Sequence, residues 1–241
     1  DRLEGFYAKH EMWRPLAQLL EREADSMGAT PQAVARLKNA ASMYREGLKD
    51  LEGSAAVLRK ALAIDPGDLS LLAELARNLA SAGQHEVAIT DVTGLLDRHP
   101  EADTGRVQLL KVRAELRLAT QMLGGALSDL EEAYAIDPDP CRTALVEALE
   151  RQQSAAFASN DTAAERKAAM RLIDVHDAGG ASELAHEVLS TWVEQSPDDV
   201  EALLMLRRRD EAAGRWDEVV GSCNRLLNLQ ADAAQIDTAL L

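Results

Sequence analysis

Aromatic residues are scarce: Trp, Tyr and Phe together make up 3% of the 241 residues. Runs of β-branched and aromatic residues are missing too, so strands have little to form from and the chain reads as all-α. No stretch of about 18 apolar residues occurs, so no membrane span is expected. Cysteine is limited to Cys141 and Cys223. Stacked helices would not bring their Cα atoms within the roughly 7 Å that a bridge needs. Two unpaired thiols favour a reducing compartment, and a cytoplasmic location is expected. Positive charge is also short. The net charge is −15, which makes nucleic acid or an anionic membrane a poor partner. The deficit is uneven, with 16 Lys/Arg against 18 Asp/Glu in residues 1–120 and 10 against 23 in residues 121–241. The acidic half reads either as a solvated surface or as a preference for a basic partner segment. The chain opens on Asp1 without a signal-peptide pattern, and we expect a segment of a longer protein or a processed form.

What is present is Leu and Ala at helical spacing, the composition of closely approaching helices. Leu72, Leu75, Ala76 and Leu79 mark one helix, Gly83 a turn, Ala88 and Val92 a second helix, and Pro100 its end. Pro66 and Pro100 stand 34 residues apart. Residues 31–66 repeat the scheme with Leu37, Ala41, Met43 and Tyr44, then Leu58, Ala61 and Leu62. Thr30-Pro31 opens that unit as an N-cap followed by Pro at the first helical position. Residues 104–138 repeat it with Leu110, Ala114, Ala126, Leu130 and Ala133. Ala-Ile-Asp-Pro closes both of these units. A first unit covers about 1–29, with Phe6 and Tyr7, then Trp13, Leu16 and Leu20. A later one covers 199–230, where Trp216 takes the place of Trp13, and 232–241 reads as the start of a truncated unit. Between Pro138 and Pro197 three helices are expected. The segments 162–178 and 181–195 form the pair of a 162–197 unit, and 141–159 is an irregular extra helix that should alter the curvature near Asn160. One 34-residue hairpin cannot bury enough apolar area to offset roughly 1–2 kcal/mol of backbone entropy per residue, so the units must stack.

The remaining motifs lack the residues that catalysis or metal binding needs. His10-Glu11, His85-Glu86 and His186-Glu187 lack a second His at i+4, where Arg14, Ile89 and Ser190 stand. His176 and His186 could meet across a hairpin but have no third ligand. Gly124-Gly125 and Gly179-Gly180 read as turn glycines joining first helices to second ones, since no phosphate-binding motif surrounds them. Asp137-Pro138-Asp139-Pro140 is not a calcium loop, and Arg207-Arg208-Arg209 points three ways round a helix. No Ser/His/Asp or Cys/His constellation stands out. No enzyme activity, metal or cofactor is expected.

The pattern W-x2-L-G-x2-Y…A-x3-F…P, matched by Leu72, Leu75, Ala76, Leu79, Ala88, Val92 and Pro100, resembles the tetratricopeptide repeat family over nearly the whole chain. The residue usage looks like that of bacterial repeat proteins. The resemblance implies an α-solenoid, a right-handed superhelix of helical hairpins forming one array over residues 1–241. Its first helices would line a concave groove that binds a protein segment. Groove places fall on Arg36, Asn39 and Met43, then Ser70, Ala73 and Arg77, then Gln108, Lys111 and Glu115, then Lys167, Met170 and Asp174, then Leu204 and Arg208. The partner-binding residues expected are therefore Arg36, Asn39, Met43, Arg77, Lys111, Glu115, Lys167, Met170, Asp174 and Arg208. Arg36, Arg77 and Lys111 would make the first half of the groove mildly cationic. The Lys/Asn set with which chaperone-binding members hold a carboxylate is missing, and Met43 stands where an Asn would be needed. The implied function is a non-catalytic scaffold or adaptor. The alternatives are a structural spacer in a secretion, polysaccharide-export or motility machine, and the regulatory arm of an enzyme outside this segment.

Overall fold

A computed structural model of the chain describes residues 2–65, 67–98 and 100–239; the side chains of residues 230–239 lie outside that description. The chain divides into two compact units, Asp1–Cys141 and Arg142–Leu241. The first holds α1 (Arg2–Lys9), α2 (Trp13–Met27), α3 (Pro31–Ser42), α4 (Leu51–Ile64), α5 (Leu69–Ser81), α6 (His85–Leu96), α7 (Thr104–Ala119) and α8 (Leu123–Ile136). A π-helical turn, Met43–Gly47, extends α3. The second holds α9 (Arg142–Ala158), α10 (Thr162–Ala178), α11 (Ser182–Gln195), α12 (Val200–Ala213) and α13 (Trp216–Ala239). Among the described residues there is no strand.

Helix starts follow from side-chain caps. Thr30 accepts the Ala33 amide, and Asp50, Asp68, Asp103, Asp161 and Asp199 do the same for α4, α5, α7, α10 and α12. The tight turns share one device. Glu11, Gly83, Gln121, Asn160, Gly180 and Gly214 each have positive φ. The amide that follows each of them donates five residues back, as in Gln84 N–H to the Leu79 carbonyl at 2.8 Å and Arg215 N–H to the Asp210 carbonyl at 2.8 Å. This bond recaptures a carbonyl left over at the helix end. One expectation is corrected here. Gly124 and Gly125 lie inside α8, and the residue that turns the chain is Gln121. Gly125 instead admits the Arg117 side chain, whose Nη1 donates to the Gly125 carbonyl at 2.9 Å. The expected closing residue Pro66 lies outside the described residues.

In the first unit α2 packs on α3, α3 on α4, α4 on α5, α5 on both α6 and α7, and α7 on α8. α4 and α6 begin at Leu51 and His85, 34 residues apart. Leu37, Ala41, Leu58, Ala61, Leu72, Leu75, Ala76, Leu79, Ala88, Val92, Leu110, Ala114, Ala126, Leu130 and Ala133 are all buried. Small Ala faces let Leu side chains of the next helix approach closely. Trp13 lies flat on the π-turn: a Cβ at Gly47 would fall 2.5 Å from its Cγ, so only glycine fits. Asn78 Nδ2 donates to Ser54 Oγ at 2.7 Å, and Ser54 Oγ to the Ala41 carbonyl at 2.9 Å, pinning α5, α4 and α3 through a buried polar chain.

In the second unit α10 packs between α9 and α11, α11 meets α12, and α12 meets α13. Trp192 centres a cluster with Ala169, Ile173, Ala185, Leu189, Val193, Ala202, Leu203 and Leu206. Left-handed residues bound α10 on both sides, Asn160 before it and Gly180 after it. Two tight turns in succession are what a three-helix run requires. Trp216, matched in sequence with the half-buried Trp13, is 63% exposed. α13 runs on to Ala239, so the new helix expected at 232–241 does not begin there among the described residues. Gln230-Ala231-Asp232-Ala233 offers no Gly or Pro to stop it.

Candidate functional site

The ten residues assigned to partner binding fall into three groups. Asn39, Arg77, Glu115, Lys167, Asp174 and Arg208 are exposed. Among the described residues none of the six forms a hydrogen bond or ion pair. Two cations are already engaged. Arg36 donates to Glu4 Oε1 at 3.1 Å and stands 3.3 Å from Glu23 Oε2, so α1 and α2 hold it against its own helix. Lys111 Nζ donates to the Pro140 carbonyl at 2.8 Å, tying α7 to the segment after α8. The two methionines are half-buried, with Met43 opening the π-turn and Met170 packing on the Trp192 cluster. No hydrogen bond or ion pair joins any two of the ten among the described residues. α3 and α5 are linked by residues outside that set. Lys38 Nζ donates to Ser70 Oγ at 2.9 Å, and Arg45 reaches Glu74 at 2.8 Å.

Electrostatic knots sit between helices. Asp129, 1% exposed, takes Arg113 Nη2 at 2.6 Å and Arg117 Nη1 at 2.7 Å, with Arg113 also donating to Thr93 Oγ1 at 3.2 Å. Asp199 takes Arg166 Nε at 2.6 Å, Trp192 Nε1 at 2.9 Å and the Ala202 amide at 3.1 Å. Burial pushes the Asp199 carboxyl upward, but these three donors outweigh it and hold the group at about 2. Glu21 accepts from Tyr44 at 3.0 Å and Lys60 at 2.6 Å. Burial and that bond raise the Tyr44 phenol, while the bond raises the Lys60 ammonium. Burial raises the Cys141 thiol, the character of a packing residue rather than a nucleophile. Cys223 is also a free thiol.

Among the described residues, cavities elsewhere include three that none of the ten lines. One of about 280 Å³ opens between α4 and α6, with Leu62, Leu72, Leu75 and Leu95 inside and Arg59 and Asp91 at its rim, 3.9 Å apart. Another of about 320 Å³ is lined by Gln153, Ser154, Phe157, Glu165, Thr191 and Gln195. The third, of about 210 Å³, lies among α11, α12 and α13 and contains Asp210. No sequence motif pointed to these cavities, since each is made by residues from separate helices. Among the described residues no group of three or more His, Cys, Asp and Glu could hold a metal ion. None of the described helices is long and apolar enough to cross a membrane.

Short-turned helix pairs stacked on their neighbours within each unit make an all-α solenoid arrangement of helical hairpins. Several solved structures are similar to this chain. MamA 41-end from Desulfovibrio magneticus is 13% identical, with 82% of this chain and 93% of that chain covered and a TM-score of 0.41. A tetratricopeptide repeat protein from Parabacteroides merdae is 15% identical, with 82% and 80% covered and a TM-score of 0.42. The TPR2AB-domain:pHSP90 complex of yeast Sti1 gives 12% identity, 83% and 78% coverage and a TM-score of 0.48. No protein-family model matches the sequence, and no curated protein does. The fold assignment rests on the helix pairs themselves.

Proposed function

We propose that this chain is a non-catalytic protein-interaction scaffold whose partner-binding residues lie on the exposed faces of its hairpins. The observation that carries the reading is the set of exposed, unengaged polar side chains Asn39, Arg77 and Glu115 on α3, α5 and α7. The faces of the same helices turned inward are packed with Leu and Ala. A stacked array holds the backbone beneath such side chains at fixed spacing, so that only the side chains themselves are ordered on binding, which suits an extended segment. Arg36 contributes less than its sequence position suggests, because two carboxylates already neutralise it. The cationic character of this face therefore rests mainly on Arg77. The net charge of −15 favours a protein partner over nucleic acid.

The test is affinity capture with the wild-type chain beside a double variant, Arg77→Glu with Glu115→Lys. Both positions are exposed, so circular dichroism should be unchanged. Proteins held by the wild type and lost by the variant are the expected result. Equal retention by both would place the binding surface elsewhere.

A further inference from the structure

Asp210 is 1% exposed, yet neither of its carboxylate oxygens accepts a hydrogen bond among the described residues. Arg215 Nη1 stands 3.5 Å from Oδ1, near enough to act through charge, and His186 Nδ1, itself buried without a partner, stands at the same distance; neither has hydrogen-bond geometry. Arg215 is directed at Glu183 instead, at 2.7 and 2.9 Å. A buried carboxylate without donors is costly, so a donor supplied from outside would be stabilising. Asp210 lines the 210 Å³ cavity, whose walls also include His186, Ser190, Val193, Leu206 and Ser222. Glu194 and Glu218 lie exposed on the lining and outnumber the one exposed cation there, Arg225.

This combination specifies its guest. The volume is below the roughly 300–1,000 Å³ of pockets for whole small molecules, and suits one side chain. Two oxygens on one carboxylate, both buried and without a donor, match the paired N–H donors of a guanidinium better than the point charge of an ammonium. Val193 and Leu206 supply an apolar wall for an aliphatic stem. We propose that this cavity receives an arginine side chain of a partner segment, with Asp210 holding the guanidinium. The partner's being a protein rests on the scaffold reading above; the guanidinium preference rests on the cavity.

The probe is N-acetyl-arginine amide, titrated into the ¹⁵N-labelled 241-residue chain. N-acetyl-citrulline amide serves as the neutral isostere and N-acetyl-lysine amide as the alternative cation. Saturable shifts at the Ser190, Asp210 and Ser222 amides are expected with the arginine probe, with at least about tenfold weaker binding of citrulline. Asp210→Asn should weaken the arginine probe by a similar factor while leaving the spectrum otherwise intact. Ser190→Leu, which fills the cavity without touching the carboxylate, should abolish binding as well. Equal binding of citrulline, an unaffected Asp210→Asn variant, or no saturable shift (water alone serving Asp210) would each overturn the proposal. Stronger binding of lysine than arginine would overturn the choice of guanidinium. Probe binding without any captured partner would count against the scaffold reading and leave the pocket standing. Captured partners lost with Arg77→Glu, but no probe binding, would do the reverse.

Discussion

Asp129 in the first unit and Asp210 in the second are equally buried, each 1% exposed, and they are treated in opposite ways. Asp129 is saturated by Arg113 and Arg117 from the preceding helix. Asp210 has the Arg215 guanidinium and the His186 imidazole at 3.5 Å and a hydrogen bond from neither. Burial alone therefore says little about the role of a carboxylate; the donors it meets decide. The first carboxylate fixes α7 to α8. The second belongs to a residue that lines a cavity and is left without a donor, an arrangement that stability alone does not explain.

Removing the saturated carboxylate should do the most damage. Asp129→Ala strands two guanidinium groups in a half-buried site, and a loss of about 3–5 kcal/mol is expected in urea unfolding. A loss under about 1 kcal/mol would mean that solvent already serves those arginines, and the contrast with Asp210 would collapse.

Asp199 provides an intermediate case, saturated but nearer the surface. Its carboxyl is held at about 2 against an ordinary 3.8, so its contribution is present above pH 4 and is lost as pH falls towards 2. A displacement of that size corresponds to about 2.5 kcal/mol before screening, and to less here because Arg166 is more than a third exposed to solvent. In Asp199→Ala the acid sensitivity of the second unit, followed by Trp192 fluorescence between pH 5 and 2, should flatten. An unchanged acid profile would show that the cap is not ionically stabilised.

The turns give the smallest effect. Gln121 occupies a left-handed position that Gly180 fills in the other unit. Gln121→Gly should raise stability by up to about 1 kcal/mol, because relief of strain there exceeds the entropy added to the unfolded chain. A lower thermal midpoint would show that the Gln121 side chain is itself stabilising.

Much of the fold was legible because it depends on local patterns. Thr30-Pro31 announces a helix start, and the structure shows the cap bond. Leu72, Leu75, Ala76 and Leu79 announce a buried face, and all four are buried. Turns were legible where glycine marks them, as at Gly83 and Gly180. They were missed at Gln121, where a non-glycine residue takes the left-handed conformation and nearby Gly124-Gly125 draws the eye. The site was less legible, because free and neutralised charges look alike in one dimension. Arg36 is countered by residues 13 and 32 positions earlier, Glu23 and Glu4. Asp210 closes a run of Arg207-Arg208-Arg209 that reads as ordinary surface charge, and only the packing of α11, α12 and α13 turns it inward.

The most direct test sets Asp129→Asn and Asp210→Asn beside the wild type in urea, since guanidinium chloride would itself compete for the cavity. Each substitution keeps the shape and removes the charge. Asp129→Asn is expected to lose about 3 kcal/mol, and Asp210→Asn to stay within about 1 kcal/mol of the wild type or to gain. Equal losses in both would contradict the account, for they would make Asp210 another internal tie and leave the cavity without its acceptor.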